Sequence, residues 1–98
     1  MRRAARVDSN QSSIVAILKQ LGCSVADTSA VGTGFPDLVV VMGEHTVLLE
    51  IKDGSLIPSR RDLTPAQKQF HAGWKGKLHT VESIGQVLDL VAYYRRLV

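Results

Sequence analysis

The sequence predicts an α/β sandwich, a central mixed sheet of about four strands flanked by helices. Three observations carry that expectation. The 98 residues suffice for one hydrophobic core and not for a second, so the chain reads as a single domain over 1–98. Apolar residues recur at helical spacing near both ends and in short strand-like runs between them, in the order helix, strand, hairpin, helix, strand, helix. The hairpin runs are apolar on both faces, with Leu38, Val40 and Met42 on one side and Val39 and Val41 on the other. Such strands call for helices over both sides of the sheet.

Taken in order, residues 1–7 read as a mobile basic arm without periodicity. Asp8 or Ser9 can cap a first helix whose Ile14, Ile17, Leu18 and Leu21 share one face, and Gly22 is placed to end it. Asn10 and Gln11 fall in its first turn, where polar residues are expected on structural grounds alone. Cys23 to Ala26 reads as a short strand with Val25 inward, and a lone cysteine has no disulfide partner, so Cys23 reads as a small buried apolar residue. Thr28 to Gly34 is a loop, and Pro36, lacking an N–H, suits the beginning of a strand. His45, bordering the hairpin turn, is expected in solvent.

Asp53 to Leu63 reads as a loop carrying Arg60 and Arg61. Thr64-Pro65-Ala66-Gln67 then opens a helix with Thr as N-cap, Pro at the first position and Gln at the third, a capping box that explains Gln67 by itself. Phe70 and Trp74, at i and i+4, read as core rather than as a base-stacking platform. His71 lies four positions after Gln67 on the same side. Lys77 to Val81 is the last strand, and Ser83 caps a final helix with Ile84, Val87, Leu88 and Val91 at helical spacing, ending near Arg95-Arg96. Tyr93 and Tyr94 pack against the core or against a second subunit.

The chemistry lies in the hairpin. If Gly43-Glu44 forms a two-residue turn, Asp37 stands directly opposite Glu50. Like charges so placed repel, and a charge out of water is strongly disfavoured unless compensated. Alternation puts Glu50 and Lys52 on one face while Leu49 and Ile51 point to the other, so a single face gathers Asp37, Glu50 and Lys52. Two hard carboxylates suit Mg²⁺, which keeps waters and binds phosphates, and the ammonium can orient a water or offset charge on a phosphate.

Pro36-Asp37 with Glu50-Ile51-Lys52 beginning thirteen positions after Asp37 resembles the signature of the PD-(D/E)XK nuclease superfamily. Its surroundings narrow the likeness. Gly34-Phe35-Pro36-Asp37-Leu38, Leu49-Glu50-Ile51-Lys52-Asp53-Gly54, and Leu63-Thr64-Pro65-Ala66-Gln67 with Phe70-His71 and Trp74 resemble the small stand-alone VRR-NUC domains of phages. The resemblance implies a restriction-endonuclease-like fold and a divalent-metal-dependent DNA endonuclease. It implies that Asp37, Glu50 and the backbone carbonyl of Ile51 hold Mg²⁺, with Mn²⁺ as a substitute, while Lys52 positions or activates water. Gln67 would steady that water or the lysine, and Gln11 would complete the surroundings of the metal. It also implies a homodimer acting on branched DNA such as four-way junctions.

A net charge of +3 permits nucleic-acid binding without requiring it, and the distribution is more telling than the total. Arg2, Arg3 and Arg6, Arg60 and Arg61, and Lys68 are the expected phosphate contacts. No apolar run approaches a membrane span and no apolar signal core opens the chain, so a cytosolic protein is expected, in the host cytoplasm if phage-encoded. Two alternatives stand beside the branched-DNA reading. A nuclease with flap, nick or sequence preference shares the same site; a non-catalytic DNA-binding module needs neither carboxylate. A structural protein using the tyrosines as an interface leaves the buried charges unexplained.

Overall fold

The computed structural model describes residues 10–97, the side chains of Arg60 and Arg61 excepted. The basic arm with Arg2, Arg3 and Arg6, and the expected caps Asp8 and Ser9, lie outside the described residues. The element order is α1 (Gln11–Gln20), β1 (Ser24–Asp27), β2 (Leu38–Met42), β3 (His45–Ile51), α2 (Pro58–Arg61), α3 (Pro65–Gly73), β4 (Leu78–Val81) and α4 (Ile84–Arg96). The four strands lie side by side in chain order, the first three antiparallel and β4 parallel to β3. This is the mixed sheet that the sequence predicts.

The N-cap position of α1 is taken by Asn10, whose side chain makes no capping bond. It reaches across the fold instead, donating through Nδ2 to the carbonyls of Lys52 at 3.2 Å and Glu82 at 3.3 Å. Gly22 ends the helix as expected: at φ +84° it lets its own N–H reach Lys19 O and the Cys23 N–H reach Leu18 O, both at 3.0 Å. That second bond holds Cys23 to the helix, so β1 begins one residue later than the sequence suggests. Cys23 is buried, and burial pushes its thiol pKa up.

The hairpin register is the expected one. Met42 faces His45 and Leu38 faces Leu49, with Gly43 at φ +62° in the turn. Leu38, Val40, Met42, Val47, Leu49 and Ile51 all point to one face, where they form the core with Ile14 and Leu18 of α1 and Val87, Val91 and Tyr94 of α4. On α4 the buried stripe runs through Val87, Leu90, Val91 and Tyr94, whereas Ile84 and Leu88 are exposed. Two apolar stripes share Val87 and Val91 in this helix, and contact with the sheet selects between them.

The opposite face carries Asp37, Glu50 and Lys52. Helix α3 covers it at that end, while Val41 and Thr46 near the hairpin turn are exposed among the described residues. The second face thus buries Leu48, Glu50 and Lys52 but leaves its hairpin end exposed. The stretch from Asp53 to Leu63 is not all loop. The Asp53 carboxylate accepts from Ser55 N and Oγ to form a turn, and Pro58 opens the short α2. His45 is half-buried rather than solvated, its ring 5.4 Å from that of Tyr94, and Tyr94 also meets His79 through a 2.6 Å contact between Oη and Nε2.

Candidate active site

Asp37 sits one residue before β2, where the chain leaves the glycine loop. Its N–H donates to Leu49 O at 3.0 Å and its carbonyl accepts from Thr28 N at 2.8 Å, so both neighbouring strands fix its backbone. Its carboxylate oxygen Oδ2 accepts from the Ile51 N–H at 2.8 Å. A backbone donor therefore aims the carboxylate along β3 toward the Glu50–Lys52 segment, as the register requires.

Glu50 is 1% exposed and Lys52 is 8% exposed, both rare degrees of burial for such side chains. Their charges are 3.9 Å apart. Gln67 adds to the compensation: its Oε1 accepts from Lys52 Nζ at 2.8 Å and its Nε2 donates to Glu50 Oε2 at 3.0 Å. One amide thus binds the buried ammonium with one end and the buried carboxylate with the other. The capping box is present too, Thr64 Oγ1 accepting from Gln67 N at 3.2 Å and Gln67 Oε1 accepting from Thr64 N at 2.9 Å. The capping reading of Gln67 therefore holds, and the same side chain also contacts Lys52 and Glu50.

Helix α3 reaches the site because Gly34 lets it. Gly34 adopts φ +83°, and a Cβ there would lie 2.3 Å from Ala66 O. Only a glycine allows the loop before Asp37 to lie against the first turn of the helix that carries Gln67.

Gln11 is 4% exposed, and its Nε2 donates to Asp27 Oδ2 at 3.2 Å. Asp27 also accepts from Ser29 N and Oγ, bonds that hold its carboxyl below its usual pKa, with the Ser29 hydroxyl as the largest cause. The Gln11 Oε1 atom is buried without a hydrogen-bond partner among the described residues. Asp27 pairs with Leu38, next to Asp37, yet nothing local in the sequence marks it as the partner of Gln11. His71 is a second residue that sequence reasoning left out of the site. It is half-buried, and its pKa is lowered first by desolvation and then by the Lys52 ammonium. Its position four residues after Gln67 was the available signal.

Among the described residues no group of three His, Cys, Asp or Glu side chains could hold a metal ion. Two carboxylates with a backbone carbonyl suit a hard cation that keeps several waters, which is how Mg²⁺ binds. Of the expected phosphate contacts, Lys68 is exposed and lies 3.7 Å from Asp62, and Arg60 and Arg61 lie on α2. No helix among the described residues is long and apolar enough to cross a membrane.

No protein-family profile and no curated protein sequence matches the chain. Among solved structures, one described as a VRR_NUC domain superposes with a TM-score of 0.64 at 27% identity, over 86% of this chain and 91% of that one. With the four-stranded mixed sheet and the half-buried Asp37 beside the buried Glu50 and Lys52, this likeness places the chain among restriction-endonuclease-like α/β domains of the nuclease type. Within that class the likeness is to a VRR-NUC domain.

Proposed function

We propose that this domain is a divalent-metal-dependent DNA endonuclease that acts as a homodimer on branched DNA. The observation that carries the reading is Gln67, whose amide holds the buried Glu50 and Lys52 side chains in one fixed geometry. A fold needing only stability would have little use for that arrangement, because replacing a buried ion pair with apolar residues is often neutral or stabilising.

Asp37, Glu50 and the Ile51 carbonyl would hold the cation, Mg²⁺ by preference and Mn²⁺ as a substitute. When bound, it supplies charge neutralisation at the scissile phosphate and a lowered pKa for an attacking water. The Ile51 N–H keeps the Asp37 carboxylate aimed. Lys52 holds the water or offsets charge growing on the phosphate, and Gln67 fixes the ammonium so that no reorganisation is needed during the reaction. Phosphate contacts from Arg2, Arg3, Arg6, Arg60, Arg61 and Lys68 position the backbone without reading sequence.

Branched substrates fit a domain this small, which has little room for separate base-reading elements. A twofold homodimer matches paired cuts at a junction, and the exposed Ile84, Leu88 and Tyr93 on α4 favour such an association. The test is cleavage of a labelled four-way junction and a matching linear duplex with Mg²⁺, Mn²⁺ or EDTA. Metal-dependent cutting of the junction over the duplex is expected. Equal cutting of both keeps the nuclease and discards the selectivity, and tight binding without cleavage under any metal favours a DNA-binding module instead.

A further inference from the structure

We propose that Phe35, Phe70 and Trp74 form a stacking platform for an unpaired DNA base beside the active site; the inference rests on the nuclease reading for its ligand. The three rings form a continuous file. Phe35 meets Phe70 edge to face at 5.2 Å, and Phe70 stacks on Trp74 at 5.3 Å with an interplanar angle of 18°. None of the three belongs to the buried core, and Trp74 is 43% exposed. Trp74 therefore does not fill the interior as expected, while Phe70 is half-buried between its two aromatic neighbours.

Both ends of the file are fixed. Phe35 immediately precedes Pro36-Asp37, and Phe70 lies one helical turn beyond Gln67 on α3, so the file starts at the site. At the far end the backbone makes room for the indole, since a Cβ on Gly76 would lie 2.8 Å from Trp74 Nε1. Phe35 and Phe70 are half-buried, so the exposed Trp74 end of the file is the surface open to another flat ring.

Charge selects the ring. Lys68, Lys75 and Lys77 are exposed along the same segment, a cationic margin suited to a phosphate backbone. Aromatic stacking between basic residues is the means by which single-stranded nucleic acid is held without sequence preference. In intact duplex the bases stack on each other, so the platform would select the unpaired nucleotides of a branch, flap or frayed end.

Trp74 is the single tryptophan of the sequence, so its emission reports the platform directly. The experiment titrates the wild-type protein in EDTA, and again in Mg²⁺, with dye-labelled oligothymidylate and with blunt duplex, recording dye anisotropy and tryptophan emission together. Oligothymidylate should quench the emission as anisotropy rises, and blunt duplex should leave the emission unchanged. Trp74→Ala should weaken single-strand binding roughly ten-fold and Trp74→Phe less, with the circular dichroism of both unchanged. Rising anisotropy with constant emission, and wild-type affinity in Trp74→Ala, would overturn the platform and leave the nuclease reading intact. No anisotropy change with either DNA would overturn both. An emission change that follows protein concentration without DNA would make the file a contact between copies of the chain and overturn the proposal.

Discussion

Gln67 Oε1 lies 2.8 Å from Lys52 Nζ and 2.9 Å from Thr64 N, so the atom that completes the cap of α3 also holds the buried ammonium. Helix start and site are therefore mechanically one unit. Gln67→Ala removes both functions, including a hydrogen bond to each of two buried charges, and should lower stability by more than the roughly 1 kcal/mol of a cap while reducing cleavage roughly ten- to hundred-fold. Thr64→Ala should lower stability by about 1 kcal/mol but leave most of the cleavage, because the Gln67 amide still reaches Glu50 and Lys52. Thermal melts and cleavage rates on the two variants separate cap from site; equal loss of activity in both would mean that the cap alone matters.

Gly34 offers a test from the opposite side of the same contact. Gly34→Ala puts a methyl group 2.3 Å from Ala66 O at a positive φ, so either the loop or α3 must shift. A shift of that kind carries Gln67 away from Glu50. The expected result is a domain that still folds, with a lower melting temperature and cleavage reduced at least as strongly as in Thr64→Ala.

The hairpin was the most legible part of the sequence. Gly43 at the first turn position and alternation along both strands fix one register, and with it the meeting of Asp37, Glu50 and Lys52. The cap that Gln67 completes was legible because Thr64-Pro65-Ala66-Gln67 has the spacing of a capping box. What stayed hidden depends on tertiary context. Phe70 and Trp74 at i and i+4 look the same in sequence whether another element covers them or solvent does, and here Trp74 is exposed. The choice of stripe on α4, the pairing of Gln11 with Asp27, and the reach of Asn10 to Lys52 and Glu82 are all set by contacts distant in sequence.

Stability should depend on pH through two histidines. Burial lowers the pKa of His79, and burial together with the Lys52 ammonium lowers that of His71. For a base with a depressed folded-state pKa, the unfolded chain takes up protons first, so stability falls as pH drops below the ordinary histidine value of about 6.5. Melting temperature should decline from pH 7 toward pH 5, and His79→Gln should flatten part of that decline. A melting temperature that rises over this interval would contradict the assignment.

The contact between Tyr94 Oη and His79 Nε2 ties α4 to β4 on the sheet face opposite the carboxylates. Tyr94→Phe keeps the packing and removes the bond, so it should cost about 1 kcal/mol of stability with no effect on cleavage. Chemical denaturation beside a cleavage assay reads both quantities.

The central claim is that Asp37, Glu50 and Lys52 form one catalytic centre, and nicking of supercoiled plasmid tests it most directly. Wild-type protein, Lys52→Ala and Asp37→Asn are compared in Mg²⁺ and in EDTA, with circular dichroism to confirm folding. Nicking by the wild type in Mg²⁺, none in EDTA, and a loss of roughly a hundred-fold or more in both variants is the expected result. Undiminished nicking by folded Lys52→Ala and Asp37→Asn would contradict the account.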